Sequence, residues 1–263
     1  AHCPAGDAGL GLYVHYWQDV EAPLLTREEL EAAQSTPMVT EIDQDSFWTL
    51  IDQAKERTGA PEGWLRGCLI SMGPEQAKKF DDIANAYTAL AYQYGLWSAA
   101  SVMCGGCTDD GFIDFRSWLV GQGRDVYMAA LKDPDSLADA PEYQDCRFDG
   151  LYRMGTLAYK RLTGRDITYE DRDLEQYQAL KAELAQGIVY GEGINYPYDQ
   201  ADIPAYLPRL CKEYLTRKEV KDLAQSRYCT WNLADPDILA ARQGPKSKRV
   251  TEKHTRRKRE HER

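Results

Sequence analysis

The chain has 263 residues, 43% of them apolar and 11% aromatic, and a formal charge of -10. That length supports a real core, and that composition agrees with a soluble globular protein rather than other chain classes. The charge is uneven: residues 245–263 carry nine Lys and Arg against three Glu, a net +6, leaving -16 on residues 1–244. The body therefore repels phosphate backbones, and attraction for nucleic acid is confined to the basic tail.

No run approaches the roughly 20 apolar residues of a membrane span, and no basic segment followed by an apolar run opens the chain. No membrane association and a cytoplasmic location are expected, with a start at Ala1 that fits a processed chain or a fragment. Seven cysteines (Cys3, Cys68, Cys104, Cys107, Cys146, Cys211, Cys229) form an odd, scattered set, which fits reduced thiols better than a disulfide framework.

Residues 1–42 read as an N-terminal extension, with a possible edge strand from Leu12 to Trp17. Its glycines do not form GxGxxG, so a nucleotide loop is not expected. His15 stands alone in an aromatic run and reads as a packed residue, because a metal or triad needs partners. A short helix is predicted from Thr26 to Ala33, with Thr26 as N-cap and Glu29 at the capping-box position.

Asp45 is predicted to cap an amphipathic helix with Phe47, Leu50, Ile51 and Ala54 on one face, ended by Gly59-Ala60-Pro61. Trp64, Leu65, Cys68 and Leu69 give a second helix. A third should run from Glu75 to about Tyr94 behind Pro74, which suits a helix start. Gly95 breaks that pattern, and Leu96 to Met103, apolar all round, should be a buried helix.

In the next stretch Gly105-Gly106 can close the buried helix. Thr108, Asp109 or Asp110 can cap the following one, whose apolar face is Phe112, Phe115, Trp118 and Leu119. Asp114 and Arg116 lie off that face. After Gly121-Gln122-Gly123 comes a helix from Arg124 to Lys132. Asp133-Pro134-Asp135 then starts a turn, a device repeated at Asp235-Pro236-Asp237 and explained by Asp as cap and Pro at the first helical position. Further helices are predicted at Leu151 to Leu162, Asp173 to Gln186 (polar, surface) and Leu210 to Tyr228. Ile188 to Pro208 is a Tyr-, Gly- and Pro-rich loop too long for a plain connector. From Gly244 the tail should be disordered.

The segments FWTLIDQA (47–54), YGLWSAASVMCGGCTDDGFIDFRSWLVGQGR (94–124) and LKDPDSLAD (131–139) together resemble the bacterial domain-of-unknown-function family 4240, over roughly residues 43–163. The family pattern is an FWxLID helix, then LWxAA, GGCSDDGFxxFRxWLIxxGR and a DPDSL turn. The resemblance implies a family without an established activity. Cys104, which completes a CxxC with Cys107, replaces what is usually a non-cysteine, and residues 1–42 and 190–263 lie outside the pattern.

The candidate functional site is Cys107, Asp109, Asp110, Asp114, Arg116 and Trp118. A cysteine just before a helix N-terminus has its thiolate favoured by the amide dipoles, whereas Asp109 and Asp110 oppose that, and no histidine is near in sequence to serve as base. The bland reading of Cys107 is a small buried residue. CxxC alone lacks the further ligands of a zinc site. With Gly111 at the turn position, an EF-hand loop would place Gly106 first and Ser117 last, where carboxylates are required, so that reading fails. A magnesium site from Asp109, Asp110 and Asp114 stays open beside the simpler reading of these residues as caps. Arg116 and Asp114 could instead form a polar cluster with Trp97 and Trp118 at a helix junction, each charge paired and orienting a helix.

The sequence therefore predicts a mainly α, single-domain multi-helix array with irregular N- and C-terminal extensions. Its parts are an extension at 1–42, the family-like domain at 43–163, a helical and Tyr-rich elaboration at 164–244 and the tail at 245–263. No cofactor or metal is assigned. The reading favoured is an interaction or regulatory module with a protein partner. The alternative is an enzyme or small-ligand or metal-binding protein with its site at the Cys107 to Arg116 helix start.

Overall fold

In a computed structural model, the structure describes residues 26–27, 31, 39–57, 61–140, 150–168 and 171–225. The possible strand at Leu12 to Trp17, the second DPD turn, Cys3, His15, Cys146, Cys229 and the basic tail lie outside these residues. Of the short helix predicted at Thr26 to Ala33, Arg27 and Glu31 are helical and ion-paired at 2.8 Å.

The regular secondary structure of the described residues is helical, and they include no strand. The helices are α1 (Gln44–Lys55), α2 (Pro61–Met72), α3 (Pro74–Leu90), α4 (Tyr94–Met103), α5 (Asp109–Gly121), α6 (Arg124–Lys132), α7 (Met154–Thr163), α8 (Leu174–Gln186), α9 (Ile203–Tyr206), α10 (Pro208–Tyr214) and α11 (Arg217–Gln225). The mainly α array expected from the periodicity is present. It divides into two compact units interleaved in sequence, residues 1–81 with 153–172 and residues 82–152 with 173–263, so the division falls inside α3.

In the first unit, α1 starts at Asp43 rather than Asp45. The Asp43 carboxylate accepts from Ser46 N at 2.8 Å, and Ser46 Oγ accepts from Asp43 N at 2.7 Å, a reciprocal capping box. Those bonds to the charged form hold the Asp43 carboxyl below its usual range. Phe47, Leu50, Ile51 and Ala54 are buried as predicted, with Phe47 against Phe80 at 4.7 Å between ring centroids. Pro61 opens α2 rather than ending α1. The main partner of α2 is α7. Helix α7 crosses α3 at Gly155, where a Cβ would fall within 3 Å of the Ala77 carbonyl and the Asp81 backbone. At the same crossing Asp81, 1% exposed, accepts from Thr156 Oγ1 and is ion-paired with Arg172.

The second unit contains the end of α3, α4 to α6 and α8 to α11. Helix α3 stops at Leu90, short of Tyr94, and α4 begins at Tyr94 with Gly95 inside its first turn. Gly95 is there for close approach: its N–H donates to Ile194 O at 2.6 Å, and a Cβ would collide with the Tyr206 hydroxyl. Leu96 to Met103 is the buried helix expected, with Leu96, Ser98, Ala99, Ala100 and Val102 inside. Tyr127 of α6 is buried and donates to Tyr87 O at 2.7 Å.

The segment from Ile188 to Pro208 is a strap. Gly191 N–H donates to Leu131 O at 2.9 Å, and Ile194 meets α4. Tyr198 stacks on Tyr206 at 3.8 Å between centroids, and the stretch carries a 3-10 turn at Gln200–Asp202 and then α9. The predicted helix at Leu210 to Tyr228 is broken at Leu215-Thr216, and Thr216 starts α11 by exchanging bonds with Glu219. Helix α8 is the polar surface helix expected, with Leu184 as its buried residue and Asp173 as N-cap.

Candidate functional site

The central motif folds around one helix-to-helix connection. Helix α4 ends at Cys104, and Gly105 and Gly106 take the positive φ values 67° and 127°. The Gly106 N–H reaches back to Ser101 O at 2.8 Å, the long bond of a Schellman ending. Trp97 Nε1 donates to Cys107 O at 3.0 Å and fixes the loop from the α4 side. Thr108 then caps α5, its Oγ1 accepting from Gly111 N at 3.1 Å, so the cap is Thr108 and not Asp109 or Asp110. Both of those aspartates stand exposed in the first turn, where their charge suits the helix dipole.

Cys104 and Cys107 are half-buried free thiols, and Cys107 Sγ donates to Thr108 O at 3.5 Å. Asp114 is half-buried. Among the described residues no group of three His, Cys, Asp or Glu side chains is placed to hold a metal ion, so Asp109, Asp110 and Asp114 do not converge on a magnesium site. Trp118 is buried against Phe115 at 5.3 Å between centroids and belongs to the core of α5.

Arg116 departs most from its sequence reading. It is 7% exposed, inside the protein rather than off the buried face, because α5 is buried on nearly every side from Phe115 to Gly121. Its Nε donates to Phe112 O at 3.1 Å and its Nη1 to Thr88 O at 2.8 Å. The guanidinium lies 4.8 Å from the Tyr92 ring centroid and 4.9 Å from that of Phe112. Trp97 stacks on Phe112 at 4.8 Å, which completes an aromatic wall. Arg116 therefore joins α5 to α3 through a carbonyl, a helix-junction role of the kind the sequence left open for it. Burial lowers its pKa, while Tyr92 and Asp109 pull it back up.

Arg116 lines a cavity of about 530 Å³ together with Leu90, Tyr92, Gln93, Lys181 and Tyr190. Cys107 lines a different one, of about 560 Å³, with Trp97, Ser101, Ile203 and Leu223 and with the acidic Glu219 and Asp222. Asp109, Asp110, Asp114 and Trp118 line neither. Sequence reasoning missed Lys181 and Tyr190, which stand about 65 to 75 residues beyond Arg116 in a polar helix and a strap that carry no motif.

The DPD turn shows the same economy. Asp133 caps its own 3-10 turn, accepting from Asp135 N at 3.1 Å. Asp135 turns away and caps α10: its carboxylate accepts from Arg209 N at 3.0 Å and Leu210 N at 2.9 Å. The Arg209 side chain pairs with Asp139.

The stretch holding the FWTLIDQA helix, the α4–α5 connection and the DPD turn is also the stretch that a family model recognises. Residues 42–161 match DUF4240, described as a protein of unknown function. The resemblance read over roughly residues 43–163 is borne out. The DUF4240 segment supplies α1 to α6 and most of α7, whereas Lys181, Tyr190 and Arg209, which meet it in the second unit, lie beyond its end. No curated protein and no solved structure matches the chain. Among the described residues no helix is long and apolar enough to cross a membrane.

Proposed function

We propose that the chain is an interaction or regulatory module that engages a protein partner, with the DUF4240 motif acting as its framework rather than as a catalytic centre. The observation that carries this reading is Asp135, 5% exposed, whose two oxygens are taken up by the backbone N–H groups that open α10. Thr108 and Asp133 are likewise engaged in caps, and Arg116 in a helix junction. The Cys107 thiol donates to the Thr108 backbone carbonyl. Any attraction for nucleic acid rests on the basic tail alone.

The test is thermal denaturation of wild type, Thr108→Ala and Cys107→Ser, run with a panel of metabolites and divalent metals while each compound is assayed for conversion. The module reading expects Thr108→Ala to melt lower, Cys107→Ser to melt like wild type, and no compound to be consumed. A compound consumed by wild type and spared by a fully folded Cys107→Ser variant would install the enzyme reading instead.

A further inference from the structure

The cavity beside Arg116 has a charge pattern that the architectural role of that residue does not use. Arg116 is more than nine-tenths buried, and its two printed bonds go to neutral carbonyls, from Nε and from Nη1. Among the described residues it has no carboxylate within 4 Å, and its Nη2 makes no hydrogen bond. A guanidinium placed so deep without an anion is costly, because an uncompensated buried charge loses hydration that two carbonyl dipoles only partly replace. Burial accordingly acts to lower its pKa.

The second cation at this cavity is Lys181 of α8, half-buried and likewise without an ion-pair partner among the described residues. Among the described residues no acidic side chain lines the cavity. Tyr92, Gln93 and Tyr190 supply polar groups, and Tyr190 is anchored by donating to Leu90 O at 3.2 Å. Asp109 is felt by both Arg116 and Tyr92 through space, yet it stands exposed outside the lining. Two cations with no carboxylate beside them in the lining match a dianion better than a single carboxylate, and a guanidinium fork suits the oxygens of a phosphate. A volume of about 530 Å³ exceeds what a bare phosphate fills, and the Tyr92, Tyr190 and Leu90 surfaces offer apolar contact to the remainder of a ligand.

We infer that this cavity binds a small organic phosphate monoester, its phosphate against Arg116 and Lys181 and its organic part against Tyr92 and Tyr190. This inference goes beyond the module reading and stands apart from it: a module without this ligand would still be a module.

Lys181 is half-exposed, so Lys181→Glu should fold, whereas Arg116→Ala removes a junction and serves only as a secondary variant. Phenyl phosphate, with phenol as its neutral counterpart, is titrated calorimetrically into the full chain and into Lys181→Glu at low salt. The expected result is saturable one-site binding of phenyl phosphate to wild type, none of phenol, and affinity reduced about tenfold or more in a Lys181→Glu variant with an unchanged melting temperature. Absence of saturable binding to wild type overturns the assignment. So does equal binding to Lys181→Glu, which would place the anion on the basic tail, or equal binding of phenol.

Discussion

Asp135 accepts the backbone N–H of Leu210 at 2.9 Å across 75 residues of sequence, so a carboxylate inside the DUF4240 motif closes the start of a helix beyond the matched segment. A helix N-terminus buried without such a partner leaves amide donors unsatisfied, at about 1–3 kcal/mol each. The acidic residues of the motif are thereby sorted by what they touch. Asp133 and Asp135 hold backbone, and Asp109 and Asp110 face solvent.

The hydroxyl cap and the exposed acids at the α4–α5 connection should separate on mutation. Thr108→Ala removes the cap on Gly111 N and is expected to cost about 1 kcal/mol. Asp110→Ala removes only a dipole contact, at most about 0.3–1 kcal/mol and weakened by salt. Chemical denaturation in low and high salt checks both, since the Thr108 loss should be indifferent to salt.

In the first unit, Arg172→Ala removes a cation paired with the buried Asp81 carboxylate, an expected loss of about 3–5 kcal/mol. Combining it with Asp81→Asn should restore part of that loss. A double-mutant cycle by urea denaturation measures the coupling, and additive losses would mean that the pair is not engaged in solution.

The strap at 188–208 depends on Gly191, whose Cβ would fall on the Lys132 carbonyl oxygen. Gly191→Ala should cost about 1–3 kcal/mol through displaced backbone. Increased proteolytic cleavage within the strap would report that displacement.

Stability should decline at alkaline pH. Burial raises the Cys68 and Cys211 thiols from 9.0 to about 11, and raises the Tyr127 hydroxyl well above 10.0. For each group the protonated form is favoured in the fold. The stability it contributes is therefore complete below the unfolded value and is lost as pH rises through the folded one. Melting temperature should hold near neutrality and fall above about pH 9, and Cys68→Ala should make the early part of that fall shallower.

Much of the helical array was legible because periodicity and caps are local. The face of Phe47, Leu50, Ile51 and Ala54 and the all-round burial of Leu96 to Met103 were both visible in spacing. The cap of α1 was misplaced by two residues because Asp43 and Asp45 both precede the apolar run, and only the Ser46 exchange distinguishes them. The T-x-x-E box at Thr216 and Glu219 is masked in sequence by the charged stretch around it, whose helical pattern runs on from Leu210. What spacing could not supply was long-range: Asp135 with Leu210, Arg116 with Thr88, and Lys181 beside Arg116 are set by packing. The burial of Arg116 was not legible because spacing puts a charge on the wet face by default, whereas here carbonyls and ring faces take over part of the role of water.

The most direct test of an architectural motif is the melting temperature of Asp135→Ala beside Asp135→Asn. The structure predicts a clear drop for Asp135→Ala, on the order of 2–4 °C for each kcal/mol lost, and a smaller one for Asp135→Asn, which keeps one acceptor for the α10 amides. An Asp135→Ala variant that melts with wild type would contradict it and return the carboxylate to the pool of residues free for binding or chemistry.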